Sequence, residues 1–341
     1  VSLFARGRPA APFPLAELHC HVEGTLQPGF ARELAARQGV DLSGFADEAT
    51  YRWEGFSGFL AAYDRAAALL RTEDDYRRLA FDYLTGLAAQ GAIYSELTIS
   101  PDHAAASGLS PETYLGALAR GAAEAERETD IVCRFLVVGV RHLGTDAVEA
   151  AARFAARAPG VTGFGLAGDE RLYRPRDFEK AFRIAAEAGL GLTAHAGEFA
   201  GPAAVAETLD ALNVSRIGHG VRAVEDAALL ARLREEGVTL EVCPLSNLAL
   251  GVAPDAANHP LARLRQAGLR LTVNSDDPPF FGSDLTAEYR FAAEAGFEPA
   301  ERLALTRNAI EAAFVEEPVR KRLSELLTMR ALALGAPGSS L

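Results

Sequence analysis

The chain has 341 residues, 49% of them hydrophobic and 23% charged, a composition that excludes disorder and leaves ample length to bury a core. Its net charge of -12, with no run of Lys or Arg, repels phosphate backbones and excludes a nucleic-acid polymer as partner. Three cysteines (Cys20, Cys133 and Cys243) in no framework spacing, no leader-like opening and no apolar run long enough to span a bilayer set the expectation of a cytoplasmic, membrane-free protein with reduced thiols.

Eight β-rich runs follow one another, over 15–19, 93–100, 131–140, 161–166, 190–195, 214–219, 238–244 and 269–276. Segments of helical period separate most of them, such as "RDFEKAFRIAAEAG" from Arg176 and "VEDAALLARLREEG" from Val224, each ending in Gly. Strands and helices in this alternation predict a (β/α)₈ TIM barrel, read as one domain over residues 1–341. Residues 28–91 are too many for one crossover helix, so extra helices should cover the barrel mouth after strand 1. Two or three more are expected from about Asp284 to the C-terminus.

The first strand runs into "ELHCHVEG". In an extended strand His19 and His21 share a face and Cys20 takes the other. An H-x-H alone fits two unrelated histidines equally well, and the other strands decide. His195 ends strand 5, His219 ends strand 6, and Asp276 with Asp277 ends strand 8, all at the C-terminal rim where such barrels keep their active sites. Three imidazoles and a carboxylate drawn from these rim residues would form a nitrogen/oxygen set suited to Zn²⁺, with Fe²⁺ or Mn²⁺ also open. The two lysines, Lys180 and Lys321, fall in helical segments and offer no bridging ligand, so one ion per chain is expected. Zinc lowers the pKa of bound water to roughly 7 and so generates a nucleophile for hydrolysis. "HAGEFAG" places Glu198 three residues after His195 as a general acid, or else as a first-turn carboxylate of the next helix.

"AELHCHVEGTLQP", "GFGLAGDE", "TAHAGEFAG", "RIGHGV", "EVCPLSN" and "TVNSDDPPFF" together resemble, in order, the motifs of the adenosine and adenine deaminases of the amidohydrolase superfamily, from about Leu15 to Tyr289. The resemblance implies a zinc-dependent aminohydrolase that replaces the 6-amino group of a purine with oxygen and releases ammonia. It makes His19, His21, His195 and Asp276 the zinc ligands and Glu198 the proton donor to N1. His219 would orient the hydroxide that attacks C6, Asp277 would bond N7, and the Gly168 N–H would meet N3. In "FSGFLAAYD" Phe56, Phe59, Leu60 and Tyr63 form one apolar helix face, which the family places over the purine, while ordinary core packing explains the face equally well. Trp53 just before it is a weaker candidate for the same cover.

The substrate is read as adenosine first and adenine close behind, with modified adenine compounds also open. Adenosine-acting members usually carry Asp where Glu23 stands, whereas "AGDE" leans toward adenosine. Glu23 lies two residues beyond His21 and shares its face if the strand stays extended. A different amidohydrolase or a non-catalytic purine-binding relative are the alternatives, and a homo-oligomer is left open. No P-C-x-x-C follows "HVE", which excludes the cytidine-deaminase type of zinc site. Cys20 and Cys243 are read as packed thiols, His103 and His142, which follow strands 2 and 3 and could reach the mouth, first as caps or solvated residues, and His259 as part of a loop entering a helix.

Overall fold

The computed structural model describes residues 13–47 and 49–333. Its eight strands are β1 (Leu15–His21), β2 (Ala92–Ile99), β3 (Val132–Val140), β4 (Val161–Ala167), β5 (Gly191–Ala196), β6 (Arg216–His219), β7 (Thr239–Val242) and β8 (Arg270–Val273). All pair in parallel and in chain order. Nearly every strand residue is buried, as a parallel sheet with side chains inside and helices outside requires. The β1/β8 seam is closed above the strand proper, where the His21 N–H donates to the Asp276 carbonyl and the Asp276 N–H donates to the His19 carbonyl, both at 3.1 Å. That exchange sets Asp276 by its main chain between the two histidines of β1.

The long insertion after β1 is three helices, α1 (Pro28–Gln38), α2 (Gly55–Ala67) and α3 (Glu73–Ala89). Helix α3 starts in a capping box between Thr72 and Asp75. After β2 come a short α4 (Pro101–Ala106) and α5 (Pro111–Thr129), and after β3, α6 (Thr145–Ala155). Helices α7 (Glu179–Glu187) and α8 (Pro202–Leu212) follow β4 and β5, and α9 (Ala227–Glu235) follows β6. In the two segments singled out for helical period, the first residues form 3-10 turns, Pro175–Phe178 and Val221–Glu225. Helix α9 begins only at Asp226, whose carboxylate accepts the N–H groups of Ala228 and Leu229. Helices α10 (Pro244–Ala249) and α11 (Leu261–Gln266) follow β7. The last strand leads to a short α12 (Pro278–Phe281) and then α13 (Leu285–Glu294), α14 (Pro299–Ala312) and α15 (Glu317–Ala333). The barrel, the added cover after β1 and the three C-terminal helices agree with the expectations. Among the described residues no helix is long and apolar enough to cross a membrane.

Candidate active site

His19 lies on β1 with its Nδ1 2.9 Å from Glu241 Oε2 on β7. This contact turns Nε2 toward the barrel mouth, where among the described residues it is buried without a hydrogen-bond partner. The ligand nitrogens of His19, His21 and His195 lie within 4.8 Å of one another. Asp276 Oδ1 is 3.6 Å from His19 Nε2 and 3.4 Å from His21 Nε2, and Oδ2 accepts the Ser246 hydroxyl at 2.7 Å. Two imidazoles can sit this close because residue 218 is glycine: a Cβ there would lie 2.9 Å from His19 Cε1 and 3.0 Å from His195 Cδ2. Gly24 makes room in the same way for the Asp277 carboxylate, which occupies the space a side chain would take. His219 and Asp276 both adopt left-handed backbone, at φ 60° and 62°, strain of the kind that persists where surrounding structure imposes it.

Electrostatics sort these groups by role. Burial holds His21 near pKa 4 and His219 near 3, and with the neighbouring imidazoles it also holds His195 low, so all three are neutral at pH 7, the form that binds a cation. Burial opposes charge on His19 too, but Asp276 and Glu241 outweigh it and raise that ring to about 10. His19 is therefore where the cluster most favours positive charge. Asp276 is held well below the usual carboxylate range, since the histidines around it overcome its burial. A buried unpartnered imidazole nitrogen, neutral imidazoles and an ionised carboxylate converging at one point fit a divalent ion with nitrogen and oxygen ligands.

Glu198 and Asp277 behave oppositely to Asp276. Burial, reinforced by the Asp276 charge, lifts both carboxyls well above their ordinary range and so favours their protonated form. That shift suits each of them to act as a proton or hydrogen-bond donor. Glu198 Oε2 is 3.7 Å from His219 Nε2. Helix α8 begins at Pro202, so Glu198 lies on the rim loop before it and not in its first turn. The loop is clamped by Glu170, whose Oε2 accepts the N–H groups of Glu198, Phe199 and Ala200 at 3.0, 2.7 and 2.9 Å.

A cavity opens over this cluster. Glu23, Gly168, Glu198, Asp277 and the α2 side chains Phe56, Phe59, Leu60 and Tyr63 all line it. The aromatic face of α2 is thus both cavity wall and packed core, with Phe59 against Phe281 at 5.0 Å between ring centres. Trp53 stands behind Phe59, its Nε1–H donating to the Phe280 carbonyl at 3.1 Å, and does not line the cavity. Two expectations are corrected here. Glu23 is not on an extended strand: β1 ends at His21, Val22 is helical, and Glu23–Thr25 is a 3-10 turn that buries the carboxylate against Tyr114 Oη at 2.6 Å and Tyr63 Oη at 3.4 Å. His103 and His142 are not solvated caps, for both line the cavity, with His103 Nε2 3.3 Å from Asp64 on α2. Cys20 and Cys243 are buried free thiols, although Cys243 also falls in a grouping with His19, His219 and Asp276. Burial pushes its thiol up, which keeps it in the non-ligating form.

Residues 14–329 match the adenosine deaminase family. The chain belongs to that family. An adenine deaminase of Chelativorans sp. (strain BNC1) is 53% identical over 311 residues, which is 90% of this chain and 96% of that protein. Among solved structures, adenine deaminase from Arthrobacter aurescens superposes with TM-score 0.87 at 33% identity, covering 93% of this chain and 98% of that one. An amidohydrolase from Burkholderia ambifaria with bound Zn gives TM-score 0.85 at 26% identity, over 97% and 96% of the two chains. The chain is thus an adenosine deaminase-family hydrolase acting on C–N bonds of cyclic amidines, in a superfamily whose deaminases depend on metal.

The residues that hold the site from behind carry no local motif. Glu96, Arg216 and Glu241 sit within β2, β6 and β7 and are fully buried. A charged side chain within a parallel strand is itself the signal, because it can be buried there only when paired.

Proposed function

We propose that this chain is an adenine deaminase holding one zinc ion through His19, His21, His195 and Asp276. The observation that carries the substrate is the likeness, near half identity and almost end to end, to proteins named as adenine deaminases. This puts adenine ahead of adenosine, the reverse of the order read from the motifs alone. Glu23 supports it: its carboxyl is raised by burial and tied to two tyrosines, which leaves a buried polar group suited to a ring N–H that a free base retains and a nucleoside lacks.

When bound, the ion supplies Lewis-acid activation of water near neutral pH. The protein's own groups do the rest. The protonated Glu198 gives its proton to N1 and makes C6 electrophilic. Asp277, also protonated, donates to N7, and the Gly168 N–H donates to N3, so the ring is fixed before water adds at C6. His219 orients that water. The C6–N bond then breaks and ammonia leaves. The aromatic face of α2 covers the base and excludes bulk solvent.

Side-by-side kinetics of adenine, adenosine and 2′-deoxyadenosine on the zinc-loaded enzyme, with ammonia release measured, test the proposal. Adenine should lead in kcat/KM by at least about 10², and by up to the order of 10⁴ to 10⁵ where a site built for a polar group rejects an analogue lacking it. Equal or faster turnover of adenosine would overturn it.

A further inference from the structure

Behind His219, away from the cavity, Asn247 and His259 form a buried chain that the reaction described above does not use. It begins at a main-chain group. The Leu261 N–H lies 3.1 Å from His259 Nδ1, and since a peptide N–H can only donate, Nδ1 is the bare nitrogen of that ring. Burial holds His259 near pKa 4, so the ring is neutral at pH 7 and its one proton is on Nε2. That Nε2 is 3.2 Å from Asn247 Oδ1, which accepts. The amide is thereby oriented with Nδ2 toward His219 Nδ1 at 3.3 Å. An amide nitrogen only donates, so Nδ1 of His219 accepts and is bare, which leaves the ring proton on Nε2. Reversing any link would set two donors or two acceptors face to face. The main chain of Asn247 is held as well, its carbonyl accepting from Val252 and Ala253 at 2.8 and 3.1 Å.

We infer that Asn247 and His259 are positioning residues that fix His219 as its Nε2–H tautomer, aiming that N–H at the reacting centre between Glu198 and Asp276. Nε2 is the nitrogen on that side, 3.7 Å from Glu198 Oε2 and 3.9 Å from Asp276 Oδ2. The tautomer follows from the hydrogen-bond chain alone. Its use rests on the proposed role of His219 toward the attacking water.

The test is long-range ¹H–¹⁵N correlation of ¹⁵N-histidine-labelled, zinc-loaded enzyme, with His219 and His259 assigned by their loss in His219→Gln and His259→Gln. Both rings should show a protonated Nε2 and a bare Nδ1 in the wild type; a proton on Nδ1 of His219 would overturn the inference without any variant. Asn247→Asp offers only acceptors, so it should put a proton on Nδ1 of His219, leave bound zinc and KM within a few-fold of wild type, and lower kcat by on the order of 10² to 10⁴, the range of a lost acid–base contribution, whose upper end is that of a wrong-tautomer catalytic histidine. His259→Gln can still donate to Asn247 and should keep most of kcat, whereas His259→Leu should not. A bare Nδ1 retained in Asn247→Asp would overturn the chain. A shifted proton with unchanged kcat would uphold the chain and overturn the role given to His219.

Discussion

Two buried polar regions share the barrel, one midway along the strands and one at the mouth, and they differ in how their charges are satisfied. Midway, the Arg216 guanidinium lies 2.6 Å from Glu96 and 2.6 Å from Glu241, with Thr193 donating to Glu241 and Tyr94 and the Phe314 N–H donating to Glu96. At the mouth, His19 Nε2 and Asp277 Oδ1 are buried without a partner among the described residues, and Asp276 and His219 sit on strained backbone. The first region pairs its charges within the chain, with only the Arg216 Nε–H lacking a well-aligned acceptor among the described residues. The second is shaped for what it binds. Glu241 joins them, pairing Arg216 with one oxygen and orienting His19 with the other.

The contrast is broken most sharply at Glu198. Glu198→Gln keeps the shape but removes the proton, so kcat should fall by on the order of 10² to 10⁴ while zinc content and melting temperature hold. Steady-state kinetics beside elemental analysis check this, and turnover retained in a fully metallated variant would assign the proton elsewhere. Arg216→Met should do the opposite. It leaves Glu96 and Glu241 buried without the guanidinium between them, at a cost of about 3–5 kcal/mol in urea unfolding. A variant as stable as the wild type would show that the ion pair contributes no net stability.

Phe56, half-buried on the cavity wall and packed on Phe199 at 4.5 Å, probes the cover. Phe56→Ala should raise KM for adenine about tenfold, the loss of roughly 1.4 kcal/mol of contact, with little change in melting temperature. A large stability loss with KM unchanged would make that face core only.

The smallest effect is expected at Glu288, a fully buried carboxyl with neither cation nor substrate. Burial raises it well above its ordinary 4.5, against the hydrogen bond it accepts from the Leu245 N–H. With the folded value above the unfolded one, its stability contribution is complete below about pH 4.5 and is lost as pH rises toward the folded value. Glu288→Gln should therefore gain on the wild type in urea midpoint as pH rises above that point. A constant difference between the two from pH 4 to 8 would contradict the sign.

The strands and rim residues were legible because this fold ends each strand at the same face, so chemistry-bearing residues at strand ends mark one locus. Glu23 was misplaced because alternation says nothing of where a strand stops, and Val22 turns helical one residue after it does. The Glu96–Arg216–Glu241 set was passed over because each partner lies on a different strand, and pairing across a barrel leaves no local spacing. Capping or solvation was the first reading of His103 and His142, yet the segments after β2 and β3 fold over the mouth, and both rings line the cavity with α2.

Elemental analysis of the active enzyme tests most directly the claim that the mouth is built around one ion. One zinc per chain is expected, removed together with activity by chelation and absent from Asp276→Asn, while Arg216 and its two glutamates remain paired in the metal-free protein. Two ions per active chain, or full activity with none, would contradict the account.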